Sequence, residues 1–259
     1  MAEGFIEPHF FAGFSGGRKS VLPGIAARGT VLYNHNASFI AHEKARAGIM
    51  EGNPIHADMI YAAKAARLAF ICNVVINAQK EVIYAVAGEA ELAHRKGCEF
   101  LSGKCRVDSI PSDIVITTNG GYPLDQNIYQ AVKGMTAAEA TVKQDGVIIM
   151  LAQSGDGHGG LEFYKTFAEQ RDLRVMMDSF LATPPVKTRA DQWQSQILAR
   201  VLMKARVVYV SDAPDDMVRG FHMVPAKSLQ EALRKAEEIL GNAQASILAI
   251  PDGVSVMVV

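Results

Sequence analysis

Cysteine is scarce in this chain of 259 residues: the three present, Cys72, Cys98 and Cys105, are an odd number and form no CxxC pair. That pattern excludes a disulfide framework and a structural zinc site, and it leaves the thiols reduced and packed as small apolar groups. No apolar run approaches the roughly 18 residues that a membrane-spanning helix needs. Glu3 and Glu7 stand where a secretory leader would carry basic and then apolar residues. Both absences point to a cytoplasmic protein. Charge of one sign is also missing. Lys and Arg number 26 against 27 Asp and Glu, a formal net charge of -1, and the two signs are mixed along the chain. A broad nucleic-acid or membrane footprint is therefore excluded, and a small molecule is the expected partner.

What the chain has is apolar bulk. Hydrophobic residues make up 49% of it, enough for one or two substantial cores. Residues 1–36 are rich in Gly, Phe, His and Pro without sustained periodicity, which predicts a loop-dominated, site-forming segment with one short helix. Asn53 and Pro54 open a helix, followed by strands at 70–76 and 81–86 and a helix over 89–100. Polar and turn residues cluster at 102–113 and mark a domain boundary. Beyond it, strands at 114–118, 147–151, 173–177 and 206–210 alternate with helices near 126–142, 160–170, 189–204 and 228–240. Such alternation predicts a parallel sheet with helices on both faces. The last segment, 246–259, reads as two short strands around a turn that return to the first domain. The fold class is thus α/β in two domains. The first, incomplete, spans 1–105 with 246–259, and the second spans 111–240.

Ligands of open parallel sheets bind beyond the carboxyl ends of the strands. Two Gly-rich loops qualify, 119–127 and 153–160, each preceding a helix whose N-terminus could face an anion. A third motif, GFSGGRKS at 13–20, superficially resembles a phosphate-binding P-loop. Arg18 intervenes between Gly17 and Lys19, however, and no strand is evident before it. Two readings of Lys19 stay open: a solvated turn residue, or an amine presented for covalent modification. Of the histidines, His42 and His56 fall in ordinary helix, whereas His9 and His35 flank Lys19 in a segment made apolar by Phe10, Phe11 and Phe14. Imidazole suits nickel, copper, iron or zinc, yet the spacing matches no zinc cage. On a helix Gln126, Gln130 and Lys133 share one face, suited to solvent or to a carboxylate ligand. Trp193 is the only tryptophan.

Four strings carry a resemblance: HFFAGFSGGRKSVLPGIA at 9–26, EGNPIH at 51–56, NGGYPLDQNIYQAVKGM at 119–135 and DGHGG at 156–160. Together they resemble the nickel-pincer-dependent lactate racemase family along nearly the whole chain, specifically its C-terminal portion. The resemblance implies an isomerase that inverts a 2-hydroxy acid by hydride transfer. Its implied cofactor is a nickel-pincer nucleotide, a pyridinium-3-thioamide-5-thiocarboxylic acid mononucleotide holding nickel. Lys19 matches the covalent attachment residue, His35 the protein ligand to nickel, and His9 one of two acid/base histidines. Gln130, Lys133 and Trp193 match substrate-side residues. The family's partner histidine, a substrate arginine and much of the cofactor phosphate site lie in a preceding segment. The resemblance therefore implies that this chain alone is nearly inactive, with that segment or another copy of the chain as a possible partner. Two alternatives stay open: a non-catalytic or split-subunit binding module, and a metal-dependent hydrolase using His9 and His35.

Overall fold

The computed structural model describes residues 1–259, which fall into two compact units: 1–106 with 184–189, and 107–183 with 190–259. The first unit is built on a three-stranded sheet in the order β1 (Ala2–Phe5), β4 (Phe70–Ile76), β5 (Val82–Glu89), with β1 and β4 parallel and β4 and β5 antiparallel. Strand β1 precedes the GFSGGRKS motif, which corrects the expectation that no strand stands there. Its partner lies about seventy residues downstream, so no local pattern announces it. After β1 come a hairpin of β2 (Pro8–His9) and β3 (Gly13–Phe14), a 3-10 turn at Gly17–Ser20, and helices α1 (Arg28–Asn34) and α2 (Ala37–Ala41). Helix α3 (Pro54–Ala65) begins as expected: Asn53 accepts from the amides of Ile55 and His56, and Pro54 takes the first helical position.

Strand alternation divides the side chains of β4 between two faces. Ile71, Asn73 and Val75 are buried, while Phe70 and Cys72 are exposed. Cys72 therefore departs from the expected packing of all three cysteines; Cys98 and Cys105 are buried on α4 (Ala90–Cys105). Helix α4 packs against β4 and β5 through His94, Cys98, Leu101 and Cys105. It runs five residues past the expected end at Phe100.

The second unit follows a short strand β6 (Arg106–Val107). Its five-stranded sheet is parallel throughout, in the order β10 (Val224–Ala226), β9 (Arg206–Val210), β8 (Val142–Leu151), β7 (Ser112–Thr118), β11 (Ile247–Ile250). Helices α5 (Ile128–Glu139) and α8 (Gln192–Lys204) pack on each other and on β7, β8 and β9. Helix α10 (Leu229–Leu240) covers the opposite face, where Ala232 and Ala236 meet Ile114, Val147, Ile149 and Val208. Near-continuous apolar strands suit a sheet covered on both sides. No helix is long and apolar enough to cross a membrane.

Three sequence expectations are corrected here. Between α6 (Leu161–Glu169) and α8, residues 173–177 belong not to a strand but to helix α7 (Leu173–Leu181). Asp172 caps it, accepting from the amides of Arg174 and Val175, and Met176 and Phe180 bury one side at a spacing of four. Helix α9 (Asp215–Gly220) and strand β10 were not expected, because a three-residue strand containing Pro225 carries little pattern. The segment 246–259 belongs to the second unit, not the first. Strand β11 pairs with β7, and β12 (Met257–Val258) leads to Val259, whose amide donates to the Val107 carbonyl. Residues 184–189, placed by sequence in the second domain, cluster instead with the first unit, against α1.

Candidate functional site

In the first unit, the turn that carries Lys19 is shaped by two glycines. Gly16 and Gly17 have φ of +76° and +52°, the left-handed region that glycine tolerates best. A Cβ on Gly17 would stand 2.8 Å from the His94 ring. The Gly17 amide donates to Asn73 Oδ1 at 2.8 Å. Of the two adjacent cations, Arg18 turns inward and is 2% exposed, whereas Lys19 is half-buried. The Lys19 backbone closes the turn by donating to Gly16 O at 3.1 Å and accepting from the Gly24 amide at 3.0 Å.

His35 ends helix α1 and is 6% exposed. Its amide and its Nδ1 both meet the Val31 carbonyl, at 3.0 and 2.9 Å. A carbonyl only accepts, so Nδ1 carries the hydrogen and Nε2 is the acceptor nitrogen, the one through which an imidazole so held binds a metal. Burial, joined by the positive charge of Lys19 and opposed by the hydrogen bond to Val31, pushes the His35 pKa down to about 4. Lys19 and His35 belong to the same compact unit. The Phe11 ring joins His9 to His35, with centroids 4.5 Å from His9 and 5.2 Å from His35, edge-on in both cases. His9 Nδ1 accepts from the Ala12 amide at 3.2 Å. Asn53 Nδ2 donates to the Phe11 carbonyl at 2.9 Å, fixing the residue between the two imidazoles.

In the second unit, Gln130 and Lys133 lie on α5, one turn apart. The first amides of that helix are already engaged: Ile128 donates to Gly157 O, Tyr129 to His158 O, and Gln130 to Asn127 Oδ1. Loop 153–160 therefore caps α5, and the expectation of an anion at this helix N-terminus is corrected; anion binding here falls to side chains. Gln126 precedes the helix and does not extend its Gln130–Lys133 face. Gln130 Oε1 is buried without a hydrogen-bond partner, an acceptor that a ligand hydroxyl would satisfy. Trp193, half-buried at the start of α8, hydrogen-bonds to the Tyr129 hydroxyl, which also meets Asp191 Oδ1 at 3.2 Å. Gln194 Nε2 donates to the Tyr129 carbonyl at 2.5 Å. A separate cavity of about 610 Å³ lies beyond the strand ends, lined in part by Thr118, Asp125, Gln153, Asp212 and Lys227. None of Gln130, Lys133 and Trp193 lines it. Its only lysine is paired with Asp215 at 2.9 Å.

His42 is an exposed cap residue of α2, in keeping with an ordinary role. His56 is less ordinary: its pKa falls to about 4 through burial and the Arg18 charge. Sequence reading overlooked His94, Asn73, Asn53, Tyr129 and Asp191. Only Asn53 carried a signal, as a helix cap, because the others act through partners far away in the chain.

Residues 107–258 match the family described as Lactate racemase C-terminal domain, and residues 1–48 the Lactate racemase N-terminal domain. Among curated proteins, "Lactate racemase" of Thermoanaerobacterium thermosaccharolyticum is 56% identical over 100% of this chain and 61% of its own length. "Lactate racemase" of Lactiplantibacillus plantarum is 54% identical over the same shares. The chain thus spans 61% of the length of these relatives. The solved lactate racemase apoprotein from T. thermosaccharolyticum superposes with a TM-score of 0.97 at 56% identity, covering 99% of this chain and 62% of the other. A Thermotoga maritima protein of 20% identity, TM-score 0.68, shares the fold. With one family match spanning more than half of its residues, the chain belongs to the lactate racemase family.

Proposed function

We propose that this chain carries cofactor-attachment and substrate-orienting residues of a racemase for a lactate-type 2-hydroxy acid. The observation that carries the reading is His35: Nδ1 is held by Val31 O, which makes Nε2 the nitrogen able to bind a metal, and the Phe11 ring stands edge-on to both His35 and His9. The implied group is a nickel-pincer nucleotide, and the donor set fits it. Imidazole nitrogen suits nickel. No three His, Cys, Asp or Glu side chains gather to hold a metal, which leaves coordination positions for the donors of an organic group. That same fact weighs against the hydrolase reading, since catalytic zinc commonly takes three protein ligands. Lys19 would hold the group covalently and His35 would bind its metal. When bound, the group would supply a reversible hydride acceptor, chemistry that no side chain offers.

The rest falls to the chain's own residues. The α-hydrogen of a 2-hydroxy acid is a poor proton, because the adjacent carboxylate resists a carbanion. Removing it as hydride requires a base at the hydroxyl, and His9 is the side chain proposed to take that proton. Lys133 would attract the carboxylate, with Gln130 one turn away on the same helix. The Tyr129 and Asp191 contacts would keep the Trp193 indole in place. Chiral chromatography of lactate tests this reading. Cofactor-loaded chain, joined to the rest of the relatives' length, is expected to convert either enantiomer toward the same mixture. His9→Ala, Lys19→Ala and His35→Ala are each expected to slow conversion by about 10²-fold or more. Unchanged rates in all three variants would overturn the reading.

A further inference from the structure

The buried cation beside Lys19 has no carboxylate partner. The Arg18 guanidinium is instead spread over backbone carbonyls beside a neutral ring. Nη2 donates to Ala12 O at 2.7 Å; Nη1 donates to Gly16 O at 3.4 Å and Ser15 O at 3.5 Å, and stands 3.0 Å from His94 Nε2, whose own hydrogen goes to Ser15 O at 2.8 Å. Nε is buried without a partner. Burial lowers the group to about 10, so it stays charged at neutral pH. A desolvated charge of this kind is costly unless its geometry is required. The geometry here has two arms. One reaches Ala12, whose carbonyl it holds and whose amide holds His9 Nδ1. The other reaches the turn of Gly16 and Gly17, seated against His94 and Asn73, from which Lys19 departs.

The geometry points to Arg18 as a positioning residue that fixes Lys19 and His9 relative to each other, with Asn73 holding only the Lys19 arm. The inference rests on the reading of Lys19 as tether and His9 as acid/base group, yet its geometry is measurable without cofactor or activity. Arginine is required because its planar fork reaches both arms at once, which a single ammonium cannot do.

The test uses the 259-residue chain and two readouts. The first is acetylation of Lys19 by an N-hydroxysuccinimide ester, measured by peptide mass spectrometry relative to exposed Lys80. The second is the His9 tautomer, read from nitrogen-15 correlations. The unmodified sequence is expected to show His9 as the Nε2–H form. Arg18→Lys is expected to raise the Lys19/Lys80 ratio by at least about threefold and to mix the His9 tautomers. Asn73→Ala is expected to raise the ratio while leaving His9 unchanged, and Asn73→Asp, which keeps the acceptor, to restore it. A folded Arg18→Lys with both readouts unchanged would overturn the proposal. So would an unaltered ratio in Asn73→Ala, which decides the matter if Arg18→Lys fails to fold. Racemisation lost in Lys19→Ala while Arg18→Lys leaves both readouts unchanged would sink this inference alone; the reverse would sink the functional reading alone.

Discussion

Adjacent residues of like charge take opposite roles in the GGRKS turn. Arg18 spends its donors on backbone, while Lys19 lies where its charge reaches His35. In the second unit the same division holds between Tyr129, which links Trp193 to Asp191, and its neighbour Gln130, whose Oε1 awaits a donor. Because Trp193 is the only indole in the chain, its fluorescence reports that link directly. Tyr129→Phe removes the hydroxyl with little change in shape. The variant is expected to shift the emission of Trp193 while leaving far-ultraviolet circular dichroism unchanged; an identical emission spectrum would contradict the link.

At the scale of elements, the placement of Gln130 and Lys133 depends on how α5 begins. Asn127 caps the Gln130 amide, and loop 153–160 covers the two amides before it. Asn127→Ala is expected to cost about 1 kcal/mol, seen as a lower denaturant midpoint with unchanged slope. An unaltered midpoint would mean the loop carbonyls suffice. Elements with dense local signals were legible in the sequence: Asn53-Pro54 announced α3, and the β-branched runs at 114–118, 147–151 and 206–210 announced three parallel strands. Elements whose stability is tertiary were not. Leu173–Leu181 reads as a short apolar run, and only the buried pair Met176 and Phe180 makes it helical. Strands β1 and β11 find their partners about seventy and over a hundred and thirty residues away.

Over the whole molecule, buried neutral histidines set an acid limit. His35 and His56 are held near pKa 4 and His94 near 3, chiefly by desolvation, below the ordinary value of 6.5. The unfolded chain therefore binds more protons than the folded one as pH falls from about 6.5 toward 4. Their contribution to stability is full above that window and is lost as pH falls through it, at up to about 1.4 kcal/mol per pH unit for each of His35 and His94. Chemical denaturation at stepped pH is expected to show this slope, and His94→Gln to flatten it; a slope unaffected by the substitution would refute the assignment.

The candidate site was legible in part as strings: His9 and Lys19 lie in the string at 9–26 and Gln130 and Lys133 in that at 119–135, whereas His35 and Trp193 lie outside all four strings. What holds them was not. Asn73, His94 and Asp191 act across 56, 76 and 62 residues respectively. Spacing in the chain cannot reveal such partners. The central claim is that Lys19 carries a group whose metal is bound by His35. Peptide mapping by mass spectrometry, after coexpression with cofactor-making enzymes, tests it most directly. The expected result is an adduct on the Lys19 peptide, with nickel bound in proportion, and both lost in Lys19→Ala. An unmodified Lys19, an adduct on another residue, or nickel retained in full by Lys19→Ala would contradict it.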